Sequence, residues 1–337
     1  MTTTARSKLS LKYRDTIGLA AALGRGFQLP VDLAVRSDGR IYVISRCAYE
    51  ESIGVRVGSV DLNHDYYGHF GGNGSGDGQM DWPTAIAFDS ADRLYLADER
   101  NHRITIFDGD GEFLDKWGEQ GDAPGQVDGP SGLAFDSNDN LYVVDHKNNR
   151  VQRFTASGDY LSGWGEAGDG PGQFNLPWGI AVDSADRVYV ADWRNDRIQM
   201  FTPGGEFVSS FGSSGHGDGE LHRPADVTVD AEGFVYVADW GNQRVVVFDA
   251  DGVYQLQLRG EATLSKWAEE YLAANADEFE ARKSFDPYPE LDVDDPHEVS
   301  ARTEPYFWDP VSIEIDPEGR LYVLETNRHR FQVYEKE

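Results

Sequence analysis

Short stretches of alternating apolar and polar residues, separated by clusters of Asp, Gly and Asn, run along almost the whole chain. Between residues 177 and 212 four such stretches follow one another, at about 178–183, 187–192, 197–202 and 206–211. Alternation with a period of two is typical of strands with one buried face, and the polar clusters are typical of tight turns. The pattern predicts four short antiparallel strands, which we name a to d.

The four-strand pattern recurs in six units, each with a proline at the start of strand a. The anchor prolines are Pro30, Pro83, Pro130, Pro177, Pro224 and Pro310, and the four central ones are 47 residues apart. Four strands in a repeat of this length are typical of propeller blades. The sequence therefore predicts an all-β, six-bladed β-propeller of four-stranded antiparallel blades, with residues 1–337 forming a single domain.

The sixth unit stops after strand c, and the segment Leu11–Gly18 has the pattern of the missing strand d. We expect this N-terminal strand to complete the last blade, because ring closure removes an exposed sheet edge. We prefer this role to that of a targeting signal, since the apolar stretch after Asp15 is short and directly preceded by charges.

Two length differences predict insertions on one face of the ring. We call this face, where the d-to-a connections and the b-to-c loops open, the top face. The first blade has a longer b-to-c loop at 46–52, and 86 residues separate Pro224 from Pro310. Within the insertion 261–304, Leu264, Trp267 and Tyr271 fall at helical spacing, so we expect one amphipathic helix followed by an acidic loop. It would form a lid or pocket wall, or alternatively cap a blade edge.

Composition limits the function more than the fold. The chain of 337 residues has 30 basic and 59 acidic side chains, a net charge of −29. Nucleic acid is a poor partner for such a charge. The single cysteine, Cys47, excludes a disulfide framework, and no apolar run approaches the roughly 20 residues of a membrane span. We expect a cytoplasmic protein that does not associate with membranes.

Three recurring motifs connect the chain with a known family. They are the Gly-rich stretch 168–174 (GDGPGQF), the run 177–183 (PWGIAVD) and the segment 190–198 (VADWRNDRI). Together they resemble the NHL-repeat family of six-bladed β-propellers over nearly the whole chain. The resemblance implies the fold but leaves the function open, since such propellers serve as RNA-binding, protein-binding and enzymatic modules.

Residues that recur in every blade serve the blade, so a binding site is expected where the repeats differ. The Asp-x-x-Asn-x-Arg motif recurs and is interpreted as structural. The repeats differ on the top face, after the anchor proline and after strand b. The candidate binding residues are Asp32, Arg46, Tyr49, Glu99, His146, Trp178, Trp193, Asp226, Trp240 and Trp308. They predict an aromatic-rich pocket over the central channel that binds a small molecule, a peptide or a protein. For the aromatic residues as a set, packing between adjacent blades is an equal alternative, and it is favoured for Trp193 and Trp240 because these two share one repeat position.

Two other functions remain open at this point. The resemblance extends to peptide-amidating lyases, which hold zinc with histidines, and to calcium-dependent propeller lactonases. A zinc or calcium cofactor would here have His146, His222, Asp32 and Asp226 as candidate ligands, but no complete zinc triad is recognisable, so whether the chain is an enzyme stays undecided. RNA binding is a minor alternative, for which Arg46, Arg100, Lys147, Arg194 and Arg223 lie near the top face.

Overall fold

Six four-stranded antiparallel sheets surround a central channel in the computed structural model, which describes residues 9–46 and 54–337. Blade 1 consists of β2 (Pro30–Val35), β3 (Ile41–Ser45), β4 (Arg56–Val60) and β5 (Tyr66–Phe70). Blade 2 consists of β6 (Pro83–Phe88), β7 (Leu94–Asp98), β8 (Arg103–Phe107) and β9 (Phe113–Trp117). Blade 3 consists of β10 (Pro130–Phe135), β11 (Asn140–Asp145), β12 (Arg150–Thr155) and β13 (Tyr160–Trp164).

The other three blades repeat this order. Blade 4 consists of β14 (Ile180–Val182), β15 (Val188–Asp192), β16 (Arg197–Phe201) and β17 (Phe207–Phe211). Blade 5 consists of β18 (Pro224–Val229), β19 (Val235–Asp239), β20 (Arg244–Phe248) and β21 (Tyr254–Leu258). Blade 6 consists of β22 (Pro310–Ile315), β23 (Leu321–Glu325), β24 (Arg330–Lys336) and, from the N-terminus, β1 (Leu11–Gly18). The predicted fold class is confirmed.

The N-terminal strand closes the ring as predicted. Strand β1 pairs antiparallel with β24, from Leu11 opposite Lys336 to Gly18 opposite Arg330. This pairing covers the edge of β24 that would otherwise be open to another strand. The ring is therefore held shut by backbone hydrogen bonds between the two ends of the described chain.

The apolar core lies between neighbouring blades, and one tyrosine per blade illustrates how the repeat builds it. Strand b has a buried tyrosine at the equivalent position of all six blades: Tyr42, Tyr95, Tyr142, Tyr189, Tyr236 and Tyr322. In four blades its hydroxyl donates to the aspartate that ends strand a, for example Tyr236 to Asp230 at 2.8 Å and Tyr322 to Asp316 at 2.8 Å. A buried hydroxyl needs a hydrogen-bond partner, and in these blades the aspartate supplies it.

The Asp-x-x-Asn-x-Arg motif has the structural role that its recurrence predicts. In blade 3, Arg150 Nε and Asn148 Nδ2 donate to Asp145 Oδ2 at 2.8 and 2.9 Å. Arg150 also donates to the carbonyl oxygen of Gln126 at 2.8 Å, and Asp145 accepts from the backbone N–H of Asp128 at 2.7 Å. The motif therefore fastens strands b and c to the Gly-rich connection that precedes the blade.

On the face opposite the top, a serine of one blade bonds to an aspartate of the next. Ser37 donates to Asp92 at 2.6 Å, Ser90 to Asp139 at 2.5 Å and Ser137 to Asp186 at 2.7 Å. The residue that follows in this series is Gly233, which has no side chain to accept the bond. These bonds consequently join blades 1 to 4 and stop before blade 5.

The insertion differs from its prediction in having three helices: α1 (Lys266–Ala274), α2 (Ala276–Arg282) and α3 (Pro296–Arg302). Helix α1 begins later than the apolar spacing indicates, because Ser265 caps it by accepting from the N–H of Ala268, which leaves Leu264 outside. Helix α3 lies in the stretch expected to be a loop. There Asp295 accepts from the N–H of Glu298 and Pro296 takes the first turn, where its missing N–H costs nothing.

The insertion packs against blades in two places. Trp267 of α1 is completely buried against Phe27 and Tyr66, and its Nε1 donates to His64 O at 2.9 Å. Helix α1 covers the outer edge where blades 6 and 1 meet. This position corresponds to the alternative in which the insertion caps a blade edge. Helix α3 lies beside the b-to-c loops of blades 5 and 6, where Arg328 donates to the carbonyl oxygen of Ser300 at 2.8 Å.

Two backbone hydrogen bonds join the ends of the insertion, one of them from Ala262 N–H to Pro305 O at 3.0 Å. Phe307 N–H donates to Arg259 O at 2.8 Å. In the other connections the same bond joins residues eight apart, such as Phe27 to Leu19 at 2.9 Å and Phe174 to Glu166 at 2.8 Å. The insertion therefore interrupts a d-to-a connection while the hydrogen bond that closes the other connections is still formed. Among the described residues, no helix has the length and apolar character needed to cross a membrane.

Candidate functional site

The first strand of each blade lines the central channel, and the six repeats place equivalent residues in rings. The upper ring is Val31, Thr84, Ser131, Trp178, Ala225 and Val311. The middle ring is Asp32, Ala85, Gly132, Gly179, Asp226 and Ser312. The lower ring is Ala34, Ala87, Ala134, Ala181, Thr228 and Glu314. Nearly all of these residues line a channel cavity of about 260 Å³.

The walls of this cavity are chemically unequal. On the side of blades 2 to 4, the middle and lower rings contain only alanine and glycine. The opposite side carries three carboxyl groups from consecutive blades: Asp226 of blade 5, Glu314 of blade 6 and Asp32 of blade 1. Gly179 is required in this arrangement, because a Cβ there would lie 2.1 Å from Asp226 Oδ1. The channel therefore has one small, neutral wall and one acidic wall.

Two of the three carboxyl groups join neighbouring blades. Asp32 accepts from Ile86 N–H of blade 2 at 2.7 Å and from the Ser312 hydroxyl of blade 6 at 2.6 Å. Asp226 accepts from Ile313 N–H of blade 6 at 2.9 Å. Burial raises the pKa of Asp32 to about 7, and burial together with the charge of Asp32 raises the pKa of Asp226 well above its usual value.

Glu314 is the third carboxyl group, and it has no hydrogen-bond partner among the described residues. It faces the cavity in a ring whose other members are four alanines and Thr228. Burial, with smaller contributions from Asp32 and Asp316, raises the pKa of Glu314 to about 8. Glu314 was not among the candidates predicted from the sequence. The signal was present in the repeats, because the position four residues after the anchor proline is alanine in four blades and threonine in a fifth, whereas the last blade has Glu314.

At the top of the channel a second cavity of about 180 Å³, which we call the mouth pocket, is walled by three tryptophans. Its lining is Val31, Arg46, Thr84, Trp178, Trp193, Ala225, Trp240 and Val311. Four of these residues also line the channel cavity, so the mouth pocket opens into the channel. The indoles of Trp193 and Trp240 also contact each other, with centroids 6.4 Å apart. Both roles considered for this pair, blade packing and pocket wall, are therefore compatible with the structure.

Arg46 and the pair Glu99 and His146 lie at the edge of the mouth pocket. Arg46 Nε donates to Pro83 O at 2.6 Å, its guanidinium lies 4.7 Å from the centroid of Trp82, and burial lowers its pKa to about 10. His146 packs edge-on against Trp178 at 5.1 Å. The side chain of His146, and to a smaller extent that of Lys147, lowers the pKa of Glu99 to about 2. Glu99 and His146 thus support the Trp178 wall from outside the cavity lining.

The other predicted residues lie apart from the mouth pocket. Trp308 Nε1 donates to His297 Nε2 of helix α3 at 3.1 Å, and Arg328 lies over its ring. No residue of the insertion belongs to the lining of either cavity. Tyr49 belongs to the segment 47–53 of blade 1, which falls outside the described residues.

The four candidate metal ligands do not assemble into one site. Asp32 and Asp226 line the channel, His146 packs on Trp178, and His222 Nδ1 lies 3.6 Å from Asp196 near the rim. Within residues 9–46 and 54–337, no three or more His, Cys, Asp or Glu side chains are grouped as a metal site requires. The residues present therefore do not fit a zinc or calcium centre built from this candidate set.

Comparison with protein families agrees with the geometry. A model described as the NHL repeat matches residues 80–107, 128–154 and 307–334. The chain is a six-bladed β-propeller with NHL repeats matched in three of its blades. A second model, described as a 6-bladed beta-propeller, matches residues 179–284. The first match covers strands of blades 2, 3 and 6, and the second runs through blades 4 and 5 into the insertion.

Curated relatives resemble parts of the NHL propeller. Protein lin-41 of Caenorhabditis elegans is 47% identical over 47 residues, which are 14% of this chain and 4% of that protein. NHL repeat-containing protein 3 of Homo sapiens is 34% identical over 92 residues, 26% of this chain and 25% of that protein. The matched segment is a quarter or less of each relative.

Solved structures share the fold across nearly the whole NHL propeller. A Bacteroides thetaiotaomicron protein of unknown function has a TM-score of 0.63 at 18% identity, covering 98% of this chain and 76% of its own. Virginiamycin B lyase of Staphylococcus aureus, solved as an inactive variant with quinupristin, has a TM-score of 0.56 at 14% identity, covering 92% and 80%. At these identities the likeness concerns the fold alone.

Proposed function

We propose that this NHL propeller binds a small ligand in the mouth pocket, either as a free molecule or as an apolar side chain of a peptide or protein partner. One observation carries the proposal. Trp178, Trp193 and Trp240 come from two blades and three separate segments, yet their indoles wall one cavity over the channel. Concave, mostly apolar sites with a few polar groups are the usual form of small-molecule sites.

The size and chemistry of the mouth pocket favour an aromatic or similarly compact apolar group. A dry cavity of about 150 Å³ is enough to hold a benzene ring, and the mouth pocket measures about 180 Å³. Indole rings supply large contact area with little conformational freedom to lose, which makes them frequent anchors of binding sites. Thr84 and Arg46 add polar groups at the rim that would orient a ligand.

The test uses 2-phenylethanol as a neutral aromatic probe, with binding followed by titration calorimetry. We expect Trp178→Ala to weaken binding by about tenfold or more, because one wall of the mouth pocket is lost. The matched control is Trp308→Ala, which removes a half-buried tryptophan of the same face that does not line the pocket. Equal affinities in the two variants would contradict the proposal.

Trp178 alone is a sharper target than a double variant that also replaces Asp226. The Asp226 carboxylate accepts from Ile313 N–H in the next blade, so its removal would leave a buried N–H without a partner. A lost signal in that double variant would then mix altered binding with altered packing of blades 5 and 6. The single replacement leaves the bonds between blades intact.

The alternative of a zinc- or calcium-dependent lyase or hydrolase is tested by elemental analysis of protein purified without affinity-tag metals. We expect less than stoichiometric metal, since the candidate ligands lie apart. Near-stoichiometric zinc or calcium, removable by a chelator, would favour the enzyme instead.

The cytoplasmic location stays a prediction, which fractionation of the source cells would check.

A further inference from the structure

The lower ring of the channel contains a carboxyl group for which no described residue provides a counter-charge. Glu314 faces the cavity with four alanines and Thr228 at the equivalent positions. Among the described residues, the only base that lines either cavity is Arg46, which belongs to the mouth pocket, where its charge acts on Asp32 and Glu99. An ionised carboxylate in such a position is costly unless a cation accompanies it. Ionisation of Glu314 is therefore favoured when a cation from outside the protein lies beside it.

We propose that the channel cavity binds the ammonium end of an amphiphilic organic cation, with Glu314 as its counter-ion, while the apolar end occupies the mouth pocket. This inference rests on the proposed function, because the two cavities are connected and the ligand enters through the tryptophans. Cavities of about 260 and 180 Å³ in series suit a ligand with a charged head and a compact apolar tail.

The availability of oxygen atoms favours an ammonium group over a metal ion. A hard divalent cation requires about six or more oxygen ligands around it. Here Asp32 and Asp226 already accept hydrogen bonds from Ile86, Ser312 and Ile313, so Glu314 is the carboxylate that remains free to bind. An ammonium group needs few acceptors, and the water or carbonyl groups of a channel can complete its three hydrogen bonds.

The surroundings of the site also favour a cation during approach. The net charge of −29 raises the local concentration of positive ligands around the whole molecule. At the entrance, Trp178 and Trp240 line the mouth pocket, and indole is the strongest aromatic partner for a cation. The ring of Trp193 is already contacted by two guanidiniums, those of Arg194 and Arg223, which lie 5.4 and 5.2 Å from its centroid. The alanine and glycine wall opposite Glu314 leaves room for the head group.

Proton release distinguishes this site from general electrostatic attraction. In the free protein Glu314 is protonated at neutral pH, since its pKa is raised to about 8. Asp32, Asp226 and Asp316 are the acids whose charges act on it, and Arg46 is the one base among the described residues that line either cavity. An ammonium group beside Glu314 stabilises its ionised form, so the carboxyl proton leaves to solvent when the ligand binds.

The experiment compares two probes of the same shape, 2-phenylethylammonium and 2-phenylethanol, by calorimetry at pH 7 in buffers of different ionisation enthalpy. We expect the wild-type protein to bind the ammonium probe at least about tenfold more tightly than the alcohol, with proton release. In Glu314→Gln both the preference and the proton release should disappear, because the amide carries no negative charge to pair with the ammonium group. The matched control is Glu206→Gln, which makes the same charge change at an exposed hairpin turn.

Each other outcome overturns a defined part of the argument. If the alcohol binds and the ammonium probe binds no better, the channel site is wrong and the mouth pocket stands. If Glu206→Gln lowers the preference as much as Glu314→Gln, the effect comes from net charge and the channel site is likewise wrong. If neither probe binds to the wild-type protein, the mouth pocket fails, and the channel site fails with it.

Discussion

Glu314 marks the limit of what individual residues reveal in a repeated sequence. The candidate residues came from positions where repeats differ beside the anchor proline or after strand b, and three tryptophans chosen that way wall one pocket. Trp308 was chosen on the same grounds but packs against His297. Whether a variable residue faces the channel depends on the β-bulge that follows Pro310 and its equivalents, and sequence alternation does not specify a bulge.

The raised pKa of Glu314 predicts how a single substitution changes stability with pH. Its ordinary value is 4.5 and its value in the folded protein is about 8. Between these values the folded state holds more protons than the unfolded state, so the free energy of unfolding falls as pH rises through this window. Glu314→Gln should match the wild-type protein near pH 4 and exceed its unfolding free energy by about 2–4 kcal/mol at pH 9.

Urea unfolding at a series of pH values measures this difference. Asp32, Asp226 and Asp316 remain in both proteins but interact electrostatically with Glu314, so the difference measures the titration of Glu314 together with its effect on these aspartates. Glu206→Gln should follow the wild-type curve throughout. A constant offset between Glu314→Gln and wild type at all pH values would show that Glu314 does not titrate in this window.

Among the structural elements, strands were predicted more accurately than helices. Each predicted strand of blade 4 falls within a few residues of its observed position, because period-two alternation and Asp or Gly turns are local signals. The insertion was predicted as one helix and contains three. The spacing of Trp267 and Tyr271 identified α1, but α3 depends on its cap at Asp295 and on its position beside the loops of blades 5 and 6. Such tertiary contacts are absent from local sequence.

Helix α1 gives a prediction about the role of the insertion. Trp267 is fully buried, so Trp267→Ala should lower the free energy of unfolding by about 3–5 kcal/mol through the cavity it leaves. Binding of 2-phenylethanol at a temperature where both proteins are folded should not change, because α1 does not line the mouth pocket. Tyr271→Ala, at an exposed position of the same helix, serves as the control. Weaker probe binding in Trp267→Ala alone would mean that α1 acts as a pocket wall.

For the whole molecule, the excess of acidic side chains is the dominant electrostatic feature. A net charge of −29 repels itself in the compact state, and dissolved salt screens this repulsion within a Debye length of about 10 Å at 0.1 M. The melting temperature should therefore rise by several degrees as NaCl increases from about 10 to about 200 mM. Sorbitol at equal osmolality is the non-ionic control. A melting temperature that falls or stays constant with NaCl would contradict this expectation.

The six-bladed ring was predictable at this scale because six anchor prolines, four of them 47 residues apart, specify the number and order of the blades without any knowledge of contacts. The function of the ring was less predictable. The acidic wall combines side chains from blades 5, 6 and 1, which are distant in sequence and adjacent only because the ring closes through β1. The chemistry of the acidic wall therefore depends on closure of the ring.

The hydrogen bond between Arg259 and Phe307 has a consequence for how this protein can change. Because backbone hydrogen bonds tie the two ends of the insertion together, the insertion can change in length without changing the geometry of the ring, while contacts such as that of buried Trp267 link its sequence to stability. The equivalent hydrogen bond in each of the other five connections marks a further position where residues could be inserted without moving a blade. Growth at such sites would let a propeller acquire new surfaces one at a time, while the channel and its acidic wall are inherited unchanged.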